Sequence, residues 1–460
     1  MSSAKFPAAV FKAYDIRGTV PDQLNAQFAF HLGLALGQQA HAQDIQKFVI
    51  GYDGRHSSPE LSVALQQGLM RAGITCIDLG LVPTPLVYFA AHQLGTGSAV
   101  AITGSHNPPE YNGFKMMLGG KTLYGEDILA LRPLMEQPAS ISQPAAVSRP
   151  YDPIPDYLQA VQQRVQLHRP MKVAIDCGNG ATGVVARALF DALGCETVML
   201  YDTVDGDFPN HHPDPADPNN LHDLIEAVRT HQCELGLAFD GDGDRLGVVT
   251  PSGEIIWPDR QLILFARDIL RRHPGSTIIY DVKCSRHVGL AIKEAGGIPL
   301  MWQTGHSLIK AKLAETGAPL AGEMSGHIFF VERWFGFDDG LYTGARMLEI
   351  LSREEDPAAV LSALPKDVST PELKIEMQEG EPHAFVEQLQ QAPFAGALER
   401  ITIDGIRVEY ADGFGLARAS NTTPVVVLRF EADTQQALQR IQNEFKTAIQ
   451  SLRADLTLPF

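Results

Sequence analysis

Three times in this chain a short apolar, partly β-branched run ends on an aspartate, turns through small or polar residues and gives way to a helical pattern. Residues 47–58 read K-F-V-I-G-Y-D-G-R-H-S-S, residues 172–182 read K-V-A-I-D-C-G-N-G-A-T, and residues 277–285 read T-I-I-Y-D-V-K-C-S. A strand–turn–helix unit buries its apolar side only within an α/β layer. Its recurrence, with Asp53, Asp176 and Asp281 in equivalent places, implies three related α/β domains with mixed sheets, each about a hundred residues or a little more. The length of 460 residues agrees, because a domain takes roughly 100–200 residues. Within the first unit Ser58 is expected as N-cap, Pro59 in the first turn and Gly73 just past the helix end.

Pro138, Pro144, Pro150, Pro153 and Pro155 crowd the stretch after the first unit. Repeated proline opposes regular structure, so this reads as a linker. A second cluster, Pro209, Pro213, Pro215 and Pro218, reads as a long loop inside the second unit. The C-terminal region differs: a strand over 401–410, a strand over 425–430, and a helix from Thr434 capped by Asp433. Leu438, Ile441, Phe445, Ile449 and Leu452 share one face of that helix. These features describe a smaller α+β domain closing over the other three around a central cleft. The expected boundaries are 1–150, 151–253, 254–365 and 366–460.

Charge narrows the partners. With 37 Lys and Arg against 54 Asp and Glu, the net charge is −17. Such a surface repels nucleic acid and anionic lipid, so an anionic substrate must find positive charge gathered in a cleft. No apolar run approaches the roughly 18 residues of a membrane helix. The first residues lack a secretory pattern, and the five cysteines are widely spaced with no C-x-x-C pair. A cytoplasmic, reducing setting is the expectation.

Asp240-Gly241-Asp242-Gly243-Asp244-Arg245 carries the sharpest chemistry. It joins two apolar runs, 235–239 and 246–249, so it is a tight loop between strands. Three carboxylates this close repel one another unless a cation bridges them, and the intervening glycines let the backbone bring them together. All-oxygen ligands select a hard ion, Mg²⁺ before Ca²⁺. An EF-hand is excluded: its sixth position would be Arg245 rather than Gly, and its twelfth Pro251 rather than Glu.

Three further loops offer polar groups. Thr103-Gly104-Ser105-His106-Asn107-Pro108-Pro109 follows the apolar run 99–102, so Ser105 is displayed rather than packed, beside a histidine able to move a proton. The hydrolase elbow G-x-S-x-G is absent, with Asn at 107. Gly322-Glu323-Met324-Ser325-Gly326-His327, with Gly305-His306-Ser307 upstream, offers groups that read sugar hydroxyls. Arg418-Ala419-Ser420-Asn421-Thr422-Thr423-Pro424 is a donor-rich loop suited to a phosphate.

Together with K-A-Y-D-I-R-G at residues 12–18, these loops resemble the α-D-phosphohexomutase superfamily, and within it the bacterial phosphomannomutase/phosphoglucomutase enzymes. The resemblance spans nearly the whole chain, in the family's order and spacing. It implies reversible conversion of hexose 1-phosphate and hexose 6-phosphate, for mannose and glucose, through a phosphoserine and a 1,6-bisphosphate that reorients. Ser105 would carry the phosphoryl group and share one Mg²⁺ with Asp240, Asp242 and Asp244. Arg245 and Lys115 would neutralise the transferring group, with His106 and Asn107 shaping the serine loop and Tyr14 and Arg17 lining the floor. Lys283, His306 and His327 would contact the sugar phosphate, either histidine being a candidate acid or base, and Glu323 and Ser325 would hold hydroxyls. Arg418, Ser420, Asn421, Thr422 and Thr423 would bind the phosphate not being transferred. Glucose 1,6-bisphosphate is the implied activator, and a monomer acting on small sugar phosphates is expected. The alternatives are a phosphoglucosamine mutase, a Mg²⁺-dependent sugar phosphatase, or a phosphosugar-binding protein without catalysis.

Overall fold

Each of the three repeated apolar runs is an interior strand of its own sheet. The structure is a computed structural model that describes residues 5–137, 146–421 and 423–460. The first sheet contains β1 (Ile16–Thr19), β2 (Lys47–Tyr52), β3 (Thr75–Leu81), β4 (Ala99–Ile102), β5 (Tyr111–Leu118), β6 (Lys121–Thr122) and β7 (Ser148–Pro150). Its order is β1-β5-β4-β2-β3-β7, with β6 beside β5. The second contains β8 (Lys172–Asp176), β9 (Glu196–Leu200), β10 (Leu235–Phe239), β11 (Leu246–Val249) and β12 (Ile255–Ile256), in the order β12-β11-β10-β8-β9. The third contains β13 (Thr277–Asp281), β14 (Ile298–Trp302), β15 (Leu320–Gly322) and β16 (Ile328–Phe330), in the order β14-β13-β15-β16.

One plan underlies all three. The repeat strand (β2, β8 or β13) lies between two parallel neighbours, and the later of these (β4, β10 or β15) is followed by an antiparallel return. The serine loop, the aspartate loop and the Glu323 loop occupy that same β-to-return turn in the three sheets. Strands covered on both sides read as continuous apolar runs, and β4 and β10 are buried at every position.

The fourth sheet is antiparallel throughout: β17 (Val368–Ser369), β18 (Leu373–Glu376), β19 (Glu399–Ile401), β20 (Ile406–Tyr410), β21 (Gly413–Ala419) and β22 (Val425–Ala432). Helix Gln435–Leu452 covers it, burying Leu438, Ile441, Phe445 and Ile449. One apolar core runs through the first three domains, with Phe89, Tyr157 and Trp334 at their junction, whereas the fourth domain keeps its own.

Local expectations are corrected at five places. Ser57, not Ser58, precedes the first repeat helix, because the Ser58 hydroxyl donates instead to Asp53 Oδ1 at 2.6 Å. Thr434, not Asp433, caps the last helix by accepting from Ala437 N, while Asp433 pairs with Arg286. The strand expected over 401–410 is a hairpin of β19 and β20, since Gly405, at φ 82°, turns the chain. The proline stretch is partly regular: Pro150 ends β7, an edge strand beside β3, and Pro153 and Pro155 start helix Ile154–Gln162. Pro138 and Pro144 lie outside the described residues. In the second proline cluster Pro209, Pro213 and Pro215 lie in a long loop after β9, whereas Pro218 starts the 3-10 helix Pro218–Leu221.

Candidate active site

Ser105 stands at φ 50°, a left-handed conformation that side-chain-bearing residues rarely adopt. The turn aims its hydroxyl at the aspartate loop: Ser105 Oγ donates to Asp240 Oδ2 at 3.2 Å and lies 3.2 Å from His106 Nδ1. The approach needs glycine at 241, where a Cβ would fall 2.4 Å from the Ser105 carbonyl oxygen. Gly243, at φ 78°, supplies the second bend. Asp240, Asp242 and Asp244 are wholly buried, each with a carboxylate oxygen within 4.8 Å of the others'.

Lys115 of β5 bridges this loop, its Nζ 2.8 Å from Asp242 Oδ2 and 2.5 Å from Asp244 Oδ2. Thr84 Oγ1 donates to the same Asp242 oxygen at 2.6 Å. Burial alone would lower the Lys115 ammonium, but the two aspartates hold it well above its ordinary value. Asp240, lacking a direct lysine partner, is pushed up by burial and by the two neighbouring carboxylates. The second oxygens, Asp242 Oδ1 and Asp244 Oδ1, are buried without a hydrogen-bond donor. Three buried carboxylates with an oxygen apiece within 4.8 Å of one another, and two oxygens left without a hydrogen bond, are the donor set of a hard divalent cation, so these residues fit Mg²⁺.

The remaining expected residues gather around this centre. Arg17 Nη1 donates to Asn107 Oδ1 at 2.9 Å and to the Gly104 carbonyl. Burial, then the charges of Arg245 and Arg17, hold His106 well below its ordinary value, so it is neutral at neutral pH. Arg245 Nε donates to His327 Nε2 at 3.0 Å, and His327 Nδ1 lies 3.0 Å from Asp338 Oδ2. His306 Nδ1 is 3.8 Å from that same oxygen, and Lys310 holds Asp338 Oδ1 at 3.0 Å. Burial, then Lys310, keep His306 neutral as well.

Two further loops complete the cleft. Glu323 accepts from Gly305 N at 3.0 Å and from Ser325 Oγ at 2.9 Å, which fixes both carboxylate oxygens. Tyr14 touches three domains' worth of chain: it sits in the first, donates to the Thr304 carbonyl at 2.7 Å and accepts from Asn421 Nδ2. Two of the expected cations are held on acids, Lys283 on Glu372 at 2.7 Å and Arg418 on Asp404 at 2.9 Å. Thr423 N donates to Ser420 Oγ at 3.2 Å, closing the turn. Thr422 lies outside the described residues.

The repeated aspartates acquire a role here. Asp53 accepts from Gly104 N at 3.0 Å and Asp281 from Met324 N at 3.1 Å, so each buttresses the functional loop after the next parallel strand. Asp176 is tied instead to Gly178 N and His211. Arg55, Thr84, Lys310, Asp338, Glu372 and Asp404 were not singled out from sequence. Only Arg55 carried a signal, as a charge inside the first repeated motif.

Ser105 is buried rather than displayed, because its turn folds it onto the aspartate loop. A serine aimed at a buried triple carboxylate, with Lys115 and Arg245 beside it, is equipped for phosphoryl transfer, where catalysis is positioning and charge neutralisation. Family profiles described as phosphoglucomutase/phosphomannomutase match the whole architecture: alpha/beta/alpha domain I at residues 8–139, domain II at 155–253, domain III at 257–368 and the C-terminal domain at 372–448. A phosphomannomutase/phosphoglucomutase of Pseudomonas aeruginosa is 52% identical over 100% of both chains. A phosphoglucomutase of Neisseria gonorrhoeae is 54% identical over 96% of this chain and 97% of its own. A crystal structure of a phosphoglucomutase/phosphomannomutase family protein from Burkholderia thailandensis superposes with a TM-score of 0.94 at 52% identity, covering 99% of this chain and 100% of that one. The chain belongs to the phosphoglucomutase/phosphomannomutase family of α-D-phosphohexomutases and is an enzyme of the isomerase class. Among the described residues no helix is long and apolar enough to cross a membrane.

Proposed function

We propose that this isomerase interconverts the 1-phosphates and 6-phosphates of mannose and glucose, using Ser105 as the phosphoryl carrier. The observation that carries the reading is the left-handed Ser105 with its hydroxyl turned onto the buried Asp240. Asp240, Asp242 and Asp244, with an oxygen on Ser105, would hold one Mg²⁺, which when bound supplies charge neutralisation to the phosphoryl group. Lys115 and Arg245 bring positive charge to the same point, and Arg17, His106 and Asn107 keep the serine loop in shape. Glu323 and Ser325 hold sugar hydroxyls, while Tyr14, Lys283, Arg418, Ser420, Asn421, Thr422 and Thr423 hold the phosphate that is not moving. His306 and His327 are the histidines placed to move a proton.

Phosphoryl transfer from Ser105 gives a 1,6-bisphosphate, which turns end for end and returns its other phosphate to the serine. A bisphosphate that escapes leaves Ser105 bare, and added glucose 1,6-bisphosphate recharges it. The enzyme acts on small sugar phosphates as a monomer in the cytoplasm.

Intact mass is the direct test. The active protein is expected to contain a population heavier by about 80 Da, absent from Ser105→Ala along with most turnover. An unmodified wild type together with a fully active Ser105→Ala would end the reading. Rates with mannose, glucose and glucosamine 1-phosphates side by side separate this activity from a phosphoglucosamine mutase.

A further inference from the structure

The Arg55 guanidinium is wholly buried in a ring of main-chain carbonyls, and all five of its N–H donors are used. Nη2 donates to the carbonyls of Ser105 at 2.8 Å and Asn107 at 2.5 Å, and Nη1 to those of Pro108 at 2.5 Å and Tyr111 at 2.9 Å. Nε donates to Asp53 Oδ2 at 3.2 Å. Four of the five acceptors are therefore main-chain carbonyls, three in the serine loop and one on the first residue of β5. The remaining fit is equally close. A Cβ at Gly104 would lie 2.2 Å from Arg55 Cζ, and the Phe208 ring of the second domain lies 5.3 Å from that carbon.

We infer that Arg55 is the positioning residue that holds Ser105 in its phosphoryl-accepting geometry, acting through the carbonyls of the serine loop. The inference rests on the mutase reading above. A planar fork with five fixed donors can gather carbonyls that would otherwise point apart, and an ammonium with three donors at one point cannot. The left-handed Ser105 is the residue that gains: with its carbonyl pinned by Arg55 and its amide donating to Thr103 Oγ1 at 2.7 Å, its side chain is left facing Asp240. All five donors are spent on protein acceptors, so Arg55 governs the rate of transfer and not the binding of substrate.

Full-length wild type, Arg55→Ala, Arg55→Lys and Gly104→Ala are compared for uptake of phosphoryl from glucose 1,6-bisphosphate by intact mass, and for kcat and KM with glucose 1-phosphate. A misplacement near an ångström costs about 100-fold, so Arg55→Ala is expected to lose about that much in both phosphoryl uptake and kcat, with KM little changed. Guanidinium chloride at low, non-denaturing concentration should restore part of the kcat of Arg55→Ala, whereas Arg55→Lys stays slow. Gly104→Ala keeps Arg55 but places a methyl group against its guanidinium, so it should lose kcat selectively without guanidinium rescue. This second variant decides the matter if Arg55→Ala fails to fold, since a Gly104→Ala protein with wild-type kcat overturns the inference. Wild type that takes up phosphoryl, alongside Arg55→Ala that does so equally fast, overturns this inference alone. Wild type that never takes it up overturns the mutase reading and this inference together.

Discussion

Lys115 Nζ and Asp244 Oδ2 are 2.5 Å apart, a contact by which a strand of the first domain reaches into the aspartate turn of the second. The same ammonium holds Asp242 at 2.8 Å, and all three side chains are at least nine-tenths buried. The lysine thus balances charge that the aspartate loop cannot balance for itself.

Removing that cation strands two buried carboxylates, a change that destabilises by about 3–5 kcal/mol where one partner of a buried pair is lost. Lys115→Met is therefore expected to lower the thermal midpoint in metal-free buffer. Millimolar Mg²⁺ should recover more of the loss than it adds to the wild type, because it replaces the missing charge. Thermal scans with and without Mg²⁺ check this, and equal midpoints in metal-free buffer would contradict it.

Asp242→Asn tests the carboxylate set from the other side. The amide is neutral and a weaker ligand, so Mg²⁺ affinity and turnover should both fall. Calorimetric titration of Mg²⁺ into each protein reads the first effect directly. Unchanged affinity, or full activity after dialysis against excess chelator, would exclude a cation held by Asp242.

What the sequence disclosed and what it hid divide along contact distance. The aspartate loop, the serine loop and the strands around them were legible because apolar runs, glycines and carboxylates lie side by side in the chain. The three repeated aspartates were visible as a pattern, but their work was not. Asp53 meets Gly104 and Asp281 meets Met324 only once parallel strands are paired. Asp338 is a plain polar residue in sequence, and becomes the shared partner of Lys310 and His327 only in the fold. The Ser58 and Asp433 corrections have the same origin, since each side chain left its local cap for a distant partner, Asp53 or Arg286.

Asp339, next in the chain to Asp338, provides a pH test that reads stability rather than turnover. It caps helix Gly340–Leu351 and accepts from Tyr157 OH and Trp334 Nε1, yet burial pushes its carboxyl up to about 7. In the unfolded chain an aspartate loses its proton near pH ~4. Between those values the folded protein holds a proton that the unfolded chain has released, so stability falls as pH rises through that window. Asp339→Asn cannot ionise and should show a flatter profile, gaining on the wild type as pH goes from 5 to about 7.5. Urea midpoints for both proteins at the two pH values measure the difference, and parallel profiles would show that Asp339 stays ionised throughout.

Arg418 and Asp404 decide whether the C-terminal loop anchors the distal phosphate. Arg418 is almost wholly buried and donates to Asp404 at 2.9 Å, an acid that also accepts from Thr304 N at 3.0 Å. It is the only full positive charge between residues 418 and 424. A hydrogen bond to a charged group contributes about 1.5–3 kcal/mol, so Arg418→Ala should lose roughly ten- to 150-fold in kcat/KM. Because the bisphosphate binds in both orientations, 1-phosphate and 6-phosphate substrates should suffer alike. Phosphoryl already on Ser105 should persist, since Arg418 contacts none of the serine-loop residues described above. A loosely held bisphosphate escapes more often, so added glucose 1,6-bisphosphate should rescue the variant in part. Steady-state rates in both directions, with and without that addition, test every step. Unchanged rates in Arg418→Ala would remove the C-terminal loop from the substrate site and leave the phosphate to Lys283 and Tyr14.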